Sequence, residues 1–297
     1  MFTGCGTALV TPFRQDQSLD EATLRRLVRR QIEAGIDFLV ACGTTGENPT
    51  LTRRDHLRVV EVTLEEAQGR VPVVGGAGGY NTAEVIELAQ EVEAVGAQGL
   101  LSVTPYYNKP SQEGLYQHYK AIAAAVRLPI IVYSVQSRTA LNVEPATLKR
   151  LAGIDNIVAV KEASGMIGQI SAVIAEVPEQ FTVLSGDDAL ALPVIALGGR
   201  GLISTTSNEI PAEMTRLVQL SLANDFPAAR ELQKKLLPLI QVNFIETNPI
   251  PVKAAMALMG LLEPVWRLPL VPPKPETLAR IQRVLESLGL LPSTHAS

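Results

Sequence analysis

Ile157-Val158-Ala159-Val160-Lys161-Glu162-Ala163-Ser164 reads as a short β-strand. It is a run of β-branched and small apolar residues closed by Ser164-Gly165. A lysine stands near its C-terminal end. An ammonium group on an apolar strand is costly to bury, so such a group finds a partner or gives up its proton. An unprotonated lysine is a nucleophile, and its natural chemistry is a Schiff base with a carbonyl compound. The plain alternative is a lysine at a strand end that reaches into solvent. The rest of the chain bears on that choice.

Working outward, one unit recurs: a short apolar strand ending in small or polar residues, then an amphipathic helical stretch. The candidate strands are Thr7–Phe13, Phe38–Gly43, Val71–Gly76, Gly99–Thr104, Pro129–Ser134, Ile157–Lys161, Phe181–Ser185 and Gly201–Thr205. They return roughly every 20–35 residues, the size of a βα unit. Helical patterns lie between them at Leu19–Ala34, Thr82–Val95, Gln112–Val126 and Ala212–Leu222. The arginines of the RRLVRR run fall on the polar face of the first helix and read as solvated. Eight such units predict an α/β fold, a (β/α)8 TIM barrel. An open dinucleotide-binding sheet would need a Gly-rich turn after its first strand, whereas Thr11-Pro12-Phe13 follows here. Gly75-Gly76-Ala77-Gly78-Gly79 has neither the dinucleotide nor the P-loop order and reads as a tight βα turn. The barrel is expected over residues 1–224. Residues 225–297 are expected to form a helical C-terminal appendage, with helices at Phe226–Phe244, Pro249–Leu261 and Pro275–Leu288.

The bulk numbers suit this architecture. The chain has 297 residues, 46% apolar and 19% charged, as in a globular enzyme-sized protein. A net charge of −4 gives no electrostatic case for nucleic acid or an anionic membrane. No apolar run is long enough to span a bilayer, and the N-terminus has no basic leader, so a cytoplasmic location is expected. Cys5 and Cys42 make no disulfide framework. His56, His118 and His295 lie scattered, so no metal site is expected.

In a parallel barrel the functional face is the C-terminal end of the strands. Gly43-Thr44-Thr45-Gly46-Glu47 follows the second strand and offers two hydroxyls and free backbone N–H groups, a cradle suited to a carboxylate. The fourth strand ends in Tyr106-Tyr107, the fifth in Tyr133 and then Ser137-Arg138-Thr139, and the sixth in Lys161. Gly186-Asp187-Asp188 follows the seventh strand, and Ile203-Ser204-Thr205 lies on the eighth. Asp187-Asp188 reads as a helix N-cap pair. A lysine, a tyrosine, a Thr-Thr pair and an arginine at one mouth make a coherent acid–base and carboxylate-binding set.

These pieces resemble the pyruvate-dependent class I aldolase and lyase family that includes dihydrodipicolinate synthase and N-acetylneuraminate lyase. The likeness rests on GTTGE at Gly43–Glu47, on Tyr133, on KEASG from Lys161, on GGRGLI at Gly198–Ile203 and on Asn248–Lys253. It spans nearly the whole chain. The resemblance implies that Lys161 forms the Schiff base with pyruvate and that Tyr133 relays protons. It implies that Thr44 links Tyr133 to Tyr107, the latter supplied by a neighbouring subunit. It further implies that Thr45 helps hold the pyruvate carboxylate, and that Gly186 and Ile203 line the pocket. Arg138 resembles the arginine that grips aspartate semialdehyde in the synthases. The usual synthase pattern around it is Asn-Val-Pro-Ser-Arg, while Ser134-Val135-Gln136-Ser137-Arg138 stands here. The implied assembly is a homotetramer, a dimer of dimers, without metal or organic cofactor. His56, Glu84 and Tyr106 match positions of the family's lysine-feedback site. Asn48, Pro49, Arg53 and Tyr80 depart from it, and Tyr80 crowds an amino-acid pocket. Two other readings stay open. One is an aldolase of the same family for a 2-keto-3-deoxy sugar acid or 4-hydroxy-2-oxoglutarate. The other is a 2-oxo acid sensor without turnover.

Overall fold

The computed structural model describes residues 2–291, so His295 and the end of the expected appendage lie outside the described residues. Eight parallel strands pair in sequence order, and the last returns to the first to close a barrel. They are β1 (Gly4–Ala8), β2 (Phe38–Ala41), β3 (Val73–Gly76), β4 (Gly99–Val103), β5 (Ile130–Ser134), β6 (Ile157–Glu162), β7 (Thr182–Ser185) and β8 (Gly201–Ser204). The TIM barrel expected from the spacing is the fold observed.

One strand is displaced from its expected place. The first strand is Gly4–Ala8, and most of the expected Thr7–Phe13 stretch leaves the sheet. The backbone N–H of Val10 is taken by Asn208 Oδ1 at 3.1 Å, and the Thr11 hydroxyl donates to the carbonyl of Gly46 at 2.7 Å. Pro12 has no N–H to give a ladder. The chain there serves as a loop across the barrel mouth.

Period-2 alternation sorts the strand residues onto two faces. Ala8, Val40, Ile131, Ala159, Leu184 and Ile203 fill the barrel interior. Leu39, Leu100, Ile130, Val132 and Val160 face the helical ring. The helices start on side chains that satisfy their free N–H groups. Asp20 accepts from Thr23, Thr52 from Asp55, Asn81 from Ala83 and Ser111 from Gly114. In the RRLVRR helix (Glu21–Glu33), Arg25 pairs with Glu65 and Glu21 near the surface, as expected. Arg30 departs from that reading. Its guanidinium is partly buried and donates to the carbonyls of Asn208 and Glu209, because the end of a short helical turn there leaves acceptors free.

The C-terminal helices Phe226–Val242, Ile250–Leu258 and Pro275–Ser287 follow the barrel. The segment before the second of them enters the barrel mouth, where Asn248 is buried, and Lys253 is buried on the helix that follows. Among the described residues no helix is long and apolar enough to cross a membrane.

Candidate active site

Register places the central pair. Tyr133 on β5 and Lys161 on β6 are direct partners, and partners on neighbouring parallel strands point to the same face. Both therefore point into the barrel at its C-terminal end. The Lys161 amine lies 4.4 Å from the centroid of the Tyr133 ring, and Lys161 is only 5% exposed. The next residue, Glu162, points the other way. It accepts from the Ser164 N–H and from Gln169, and burial raises its pKa.

Two adjoining cavities meet at Tyr133, Val135 and Arg138. The first, about 300 Å³, is lined further by Gly43, Thr44, Gly76 and Tyr106. The second, about 190 Å³, holds Lys161, Thr45, Gly186, Thr205, Phe244 and Asn248. Position 186 has to be glycine. A Cβ there would sit 2.7 Å from the Ala163 Cβ and 3.1 Å from the Lys161 Cγ, displacing the lysine stem. Ile203 is buried on the inner face of β8.

The Gly43–Glu47 turn is held by its own backbone, with Gly46 N–H donating to Gly43 and Glu47 N–H to Thr44, each at 3.1 Å. It divides the threonine pair between the cavities. Thr44 lines the first. Thr45 lines the second, and its hydroxyl accepts from Asn248 Nδ2 at 2.9 Å and lies 3.4 Å from the Thr205 hydroxyl.

Arg138 sits on a one-turn helix, Gln136–Thr139, which aims it without the usual proline. One guanidinium nitrogen donates to the carbonyl of Asn248 at 3.1 Å, and the residue lines both cavities. Tyr107 is not brought to this site within the chain. It is 90% exposed, with a left-handed backbone (φ 68°), and lines neither cavity.

The three residues matched to a regulatory site do not share one pocket. Glu84 and Tyr106 line a surface cavity of about 210 Å³ with Arg53 and Tyr80, whose ring meets Tyr106 edge-on at 5.1 Å. His56 is buried away from it. Its ring nitrogens lie 3.0 Å from Asn48 Oδ1 and 2.8 Å from the Gly76 carbonyl, and burial lowers its pKa to about 4.

Asp188 corrects the N-cap reading. Asp187 does cap the short turn Asp188–Leu190, accepting from the Ala189 N–H. Asp188 is instead fully buried, where it accepts from the Ser204 hydroxyl and the Thr205 N–H. Burial raises its pKa to about 6, against the lowering effect of those bonds and of the nearby Lys161. Phe244 is the mouth residue that sequence reading does not name, while Thr205 and Asn248 are named there only as parts of longer stretches and Asp188 only as a cap. Their partners lie many positions away, so only the family stretch Asn248–Lys253 offered any signal.

Fold and site define a (β/α)8-barrel protein whose mouth presents an amine, a phenol and a guanidinium around one cavity system. The chain belongs to the Dihydrodipicolinate synthetase family, whose profile matches residues 1–288. It is 55% identical over 289 residues to the 4-hydroxy-tetrahydrodipicolinate synthase of Koribacter versatilis, covering 97% of this chain and 96% of that one. The crystal structure of dihydrodipicolinate synthase from Aquifex aeolicus superposes with a TM-score of 0.95 at 43% identity, over 97% of this chain and 99% of that one. The chloride-inhibited dihydrodipicolinate synthase of Acinetobacter baumannii, solved with pyruvate, gives a TM-score of 0.96 at 41% identity, over 98% and 100% of the two chains.

Proposed function

We propose that this chain is a lyase that condenses pyruvate with L-aspartate 4-semialdehyde to 4-hydroxy-tetrahydrodipicolinate, in the route to diaminopimelate and lysine. The observation that carries the chemistry is the buried Lys161 amine beside the Tyr133 ring, inside a cavity that Arg138 also lines. The name shared by the relatives supports the choice of substrates and does not favour the sugar-acid aldolase reading.

In this reading the Lys161 amine adds to the pyruvate ketone, and the carbinolamine loses water to give an iminium. The iminium draws electrons from the methyl carbon, which loses a proton and becomes an enamine. The enamine carbon bonds to the aldehyde carbon of the second substrate, and the aldehyde oxygen takes up a proton. Tyr133, at the amine, carries the protons that these steps release and consume. The amino group of the second substrate then attacks the iminium carbon, closes the ring and releases Lys161. Thr44 and Thr45, on the two cavities that Tyr133 also lines, offer hydroxyls for the pyruvate carboxylate. Arg138 binds the second carboxylate, which a planar guanidinium does through two parallel bonds.

A cytoplasmic homotetramer, a dimer of dimers, belongs to the same reading. Tyr107, exposed on its own chain, is the residue one subunit lends another. Glu84 and Tyr106 form the candidate regulatory pocket, with Tyr80 filling part of it, and His56 serves as buried scaffold away from it, held by Asn48 and the Gly76 carbonyl.

Borohydride reduction in the presence of pyruvate tests the chemistry. The intact mass should rise by one reduced pyruvate adduct, mapped to the peptide that carries Lys161. Undiminished trapping in Lys161→Ala would reject the assignment. A panel of aldehydes assayed with pyruvate tests the second substrate, and turnover should be greatest with aspartate semialdehyde.

A further inference from the structure

The segment Asn248-Pro249-Ile250-Pro251-Val252-Lys253 touches the Gly43–Glu47 turn at two points. Asn248 Nδ2 donates to the Thr45 hydroxyl at 2.9 Å. Lys253 Nζ donates to Glu47 Oε1 at 2.5 Å, and both side chains are 0% exposed. The second oxygen of Glu47 accepts from the Arg267 N–H at 3.3 Å. The Lys253 amine lies 4.6 Å from the Phe13 ring centroid and 6.0 Å from that of Trp266. Glu47 itself holds a left-handed backbone, φ 56° and ψ 34°, uncommon for a residue with a side chain.

A buried ion pair is a weak source of stability, because desolvating two charges costs about as much as their attraction returns. What such a pair does firmly is fix geometry, since either charge left alone in that site is strongly disfavoured. Here the fixed object is the turn that carries Thr44 and Thr45.

We propose that Glu47 and Lys253 are positioning residues for the first substrate, locking the Gly43–Glu47 turn so that Thr44 and Thr45 stand at a set spacing on the two adjoining cavities that meet at Tyr133. Neither residue lines either cavity, so both act through the turn. The proposal rests on the pyruvate chemistry above. It adds that the C-terminal segment sets affinity for pyruvate through a contact outside the cavities.

The test is borohydride trapping as a function of pyruvate concentration in wild type, Lys253→Met and the double variant Glu47→Gln/Lys253→Met. The double variant removes both charges, so it avoids an uncompensated buried carboxylate if Lys253→Met does not fold. The half-saturating pyruvate concentration should rise about tenfold or more, while kcat at saturating pyruvate stays within about threefold. A folded double variant that traps at the wild-type concentration overturns the proposal. So does one that loses kcat with an unmoved KM. Hydrogen exchange on the wild-type chain gives a readout that needs no variant: pyruvate should slow exchange at 43–47 and at 250–253 together. Protection of 43–47 alone overturns the proposal. Wild type that traps no pyruvate overturns the reaction itself and the proposal with it, whereas normal trapping with unmoved variants overturns only the proposal.

Discussion

The Lys161 amine lies 4.4 Å from the centroid of the Tyr133 ring, because the two residues are register partners on adjacent parallel strands. A one-residue slip of β6 would turn Lys161 outward under the helices and bring Val160 or Glu162 into the barrel. The pairing of β5 with β6 is thus as much a part of the site as the side chains.

Tyr133→Phe should lower kcat by roughly two to four orders of magnitude, the usual range for a general acid–base group. The ring stays in place, so the melting temperature should hold. Steady-state kinetics beside a thermal unfolding scan checks both. Near-native turnover would reduce Tyr133 to a packing residue.

Arg138→Ala should separate the two substrates. Pyruvate trapping at Lys161 should persist, because the arginine is assigned to the other carboxylate. Use of aspartate semialdehyde should weaken by about 2–5 kcal/mol, the range for truncating one partner of a desolvated charge pair. Equal loss of trapping and turnover would mean that the arginine is structural. Its bond to the Asn248 carbonyl makes that outcome a real competitor.

Tyr107 should matter only in the assembled protein. Its side chain is 90% exposed, so Tyr107→Ala removes almost no contact within the chain. Light scattering of the wild type should give a multiple of the single-chain mass, and the variant should lose activity by about tenfold or more through misplacement at the mouth. A fully active wild-type monomer at assay concentration would contradict the shared-site reading.

The contribution of His56 to stability should fall as pH drops from about 6.5 toward 4. Burial lowers its folded pKa from the ordinary 6.5 to about 4, with the Gly76 carbonyl opposing and Arg53 adding to the shift. Between those values the unfolded chain binds a proton that the folded chain refuses, so acid favours unfolding, by up to about 3 kcal/mol. His118, also lowered to about 4 by burial, acts in the same direction. The buried carboxyls have the opposite sign: burial raises the pKa of Asp188 to about 6 and also raises those of Glu162 and Glu209, so the stability they contribute is lost as pH rises through the raised values. Denaturation midpoints for wild type and His56→Gln at pH 4.5 and pH 7 isolate the histidine. The variant should show the shallower pH dependence, and parallel curves would remove His56 from the account.

Barrel, strand count and Lys161 were legible because they depend on short-range pattern. Strand β6 announces itself through β-branched residues, and alternation alone puts Lys161 on the face of Ala159. The first strand was misplaced because Leu9-Val10-Thr11 has strand composition, while the true strand Gly4–Ala8 is rich in small residues. Tertiary bonds with Asn208 and Gly46 claim Val10 and Thr11.

By itself the sequence determined which polar residues stand at the barrel mouth: the lysine, the tyrosine, the threonine pair and the arginine follow strand ends that local periodicity defines. Only the tertiary structure decided how they are aimed. Asn248 reaches Thr45 across 203 positions and Lys253 reaches Glu47 across 206. Asp188 is buried against Ser204 and Thr205 rather than capping a helix. No propensity or spacing encodes such contacts. They exist only because closing the barrel brings β1 against β8 and leaves a mouth that the C-terminal segment can enter.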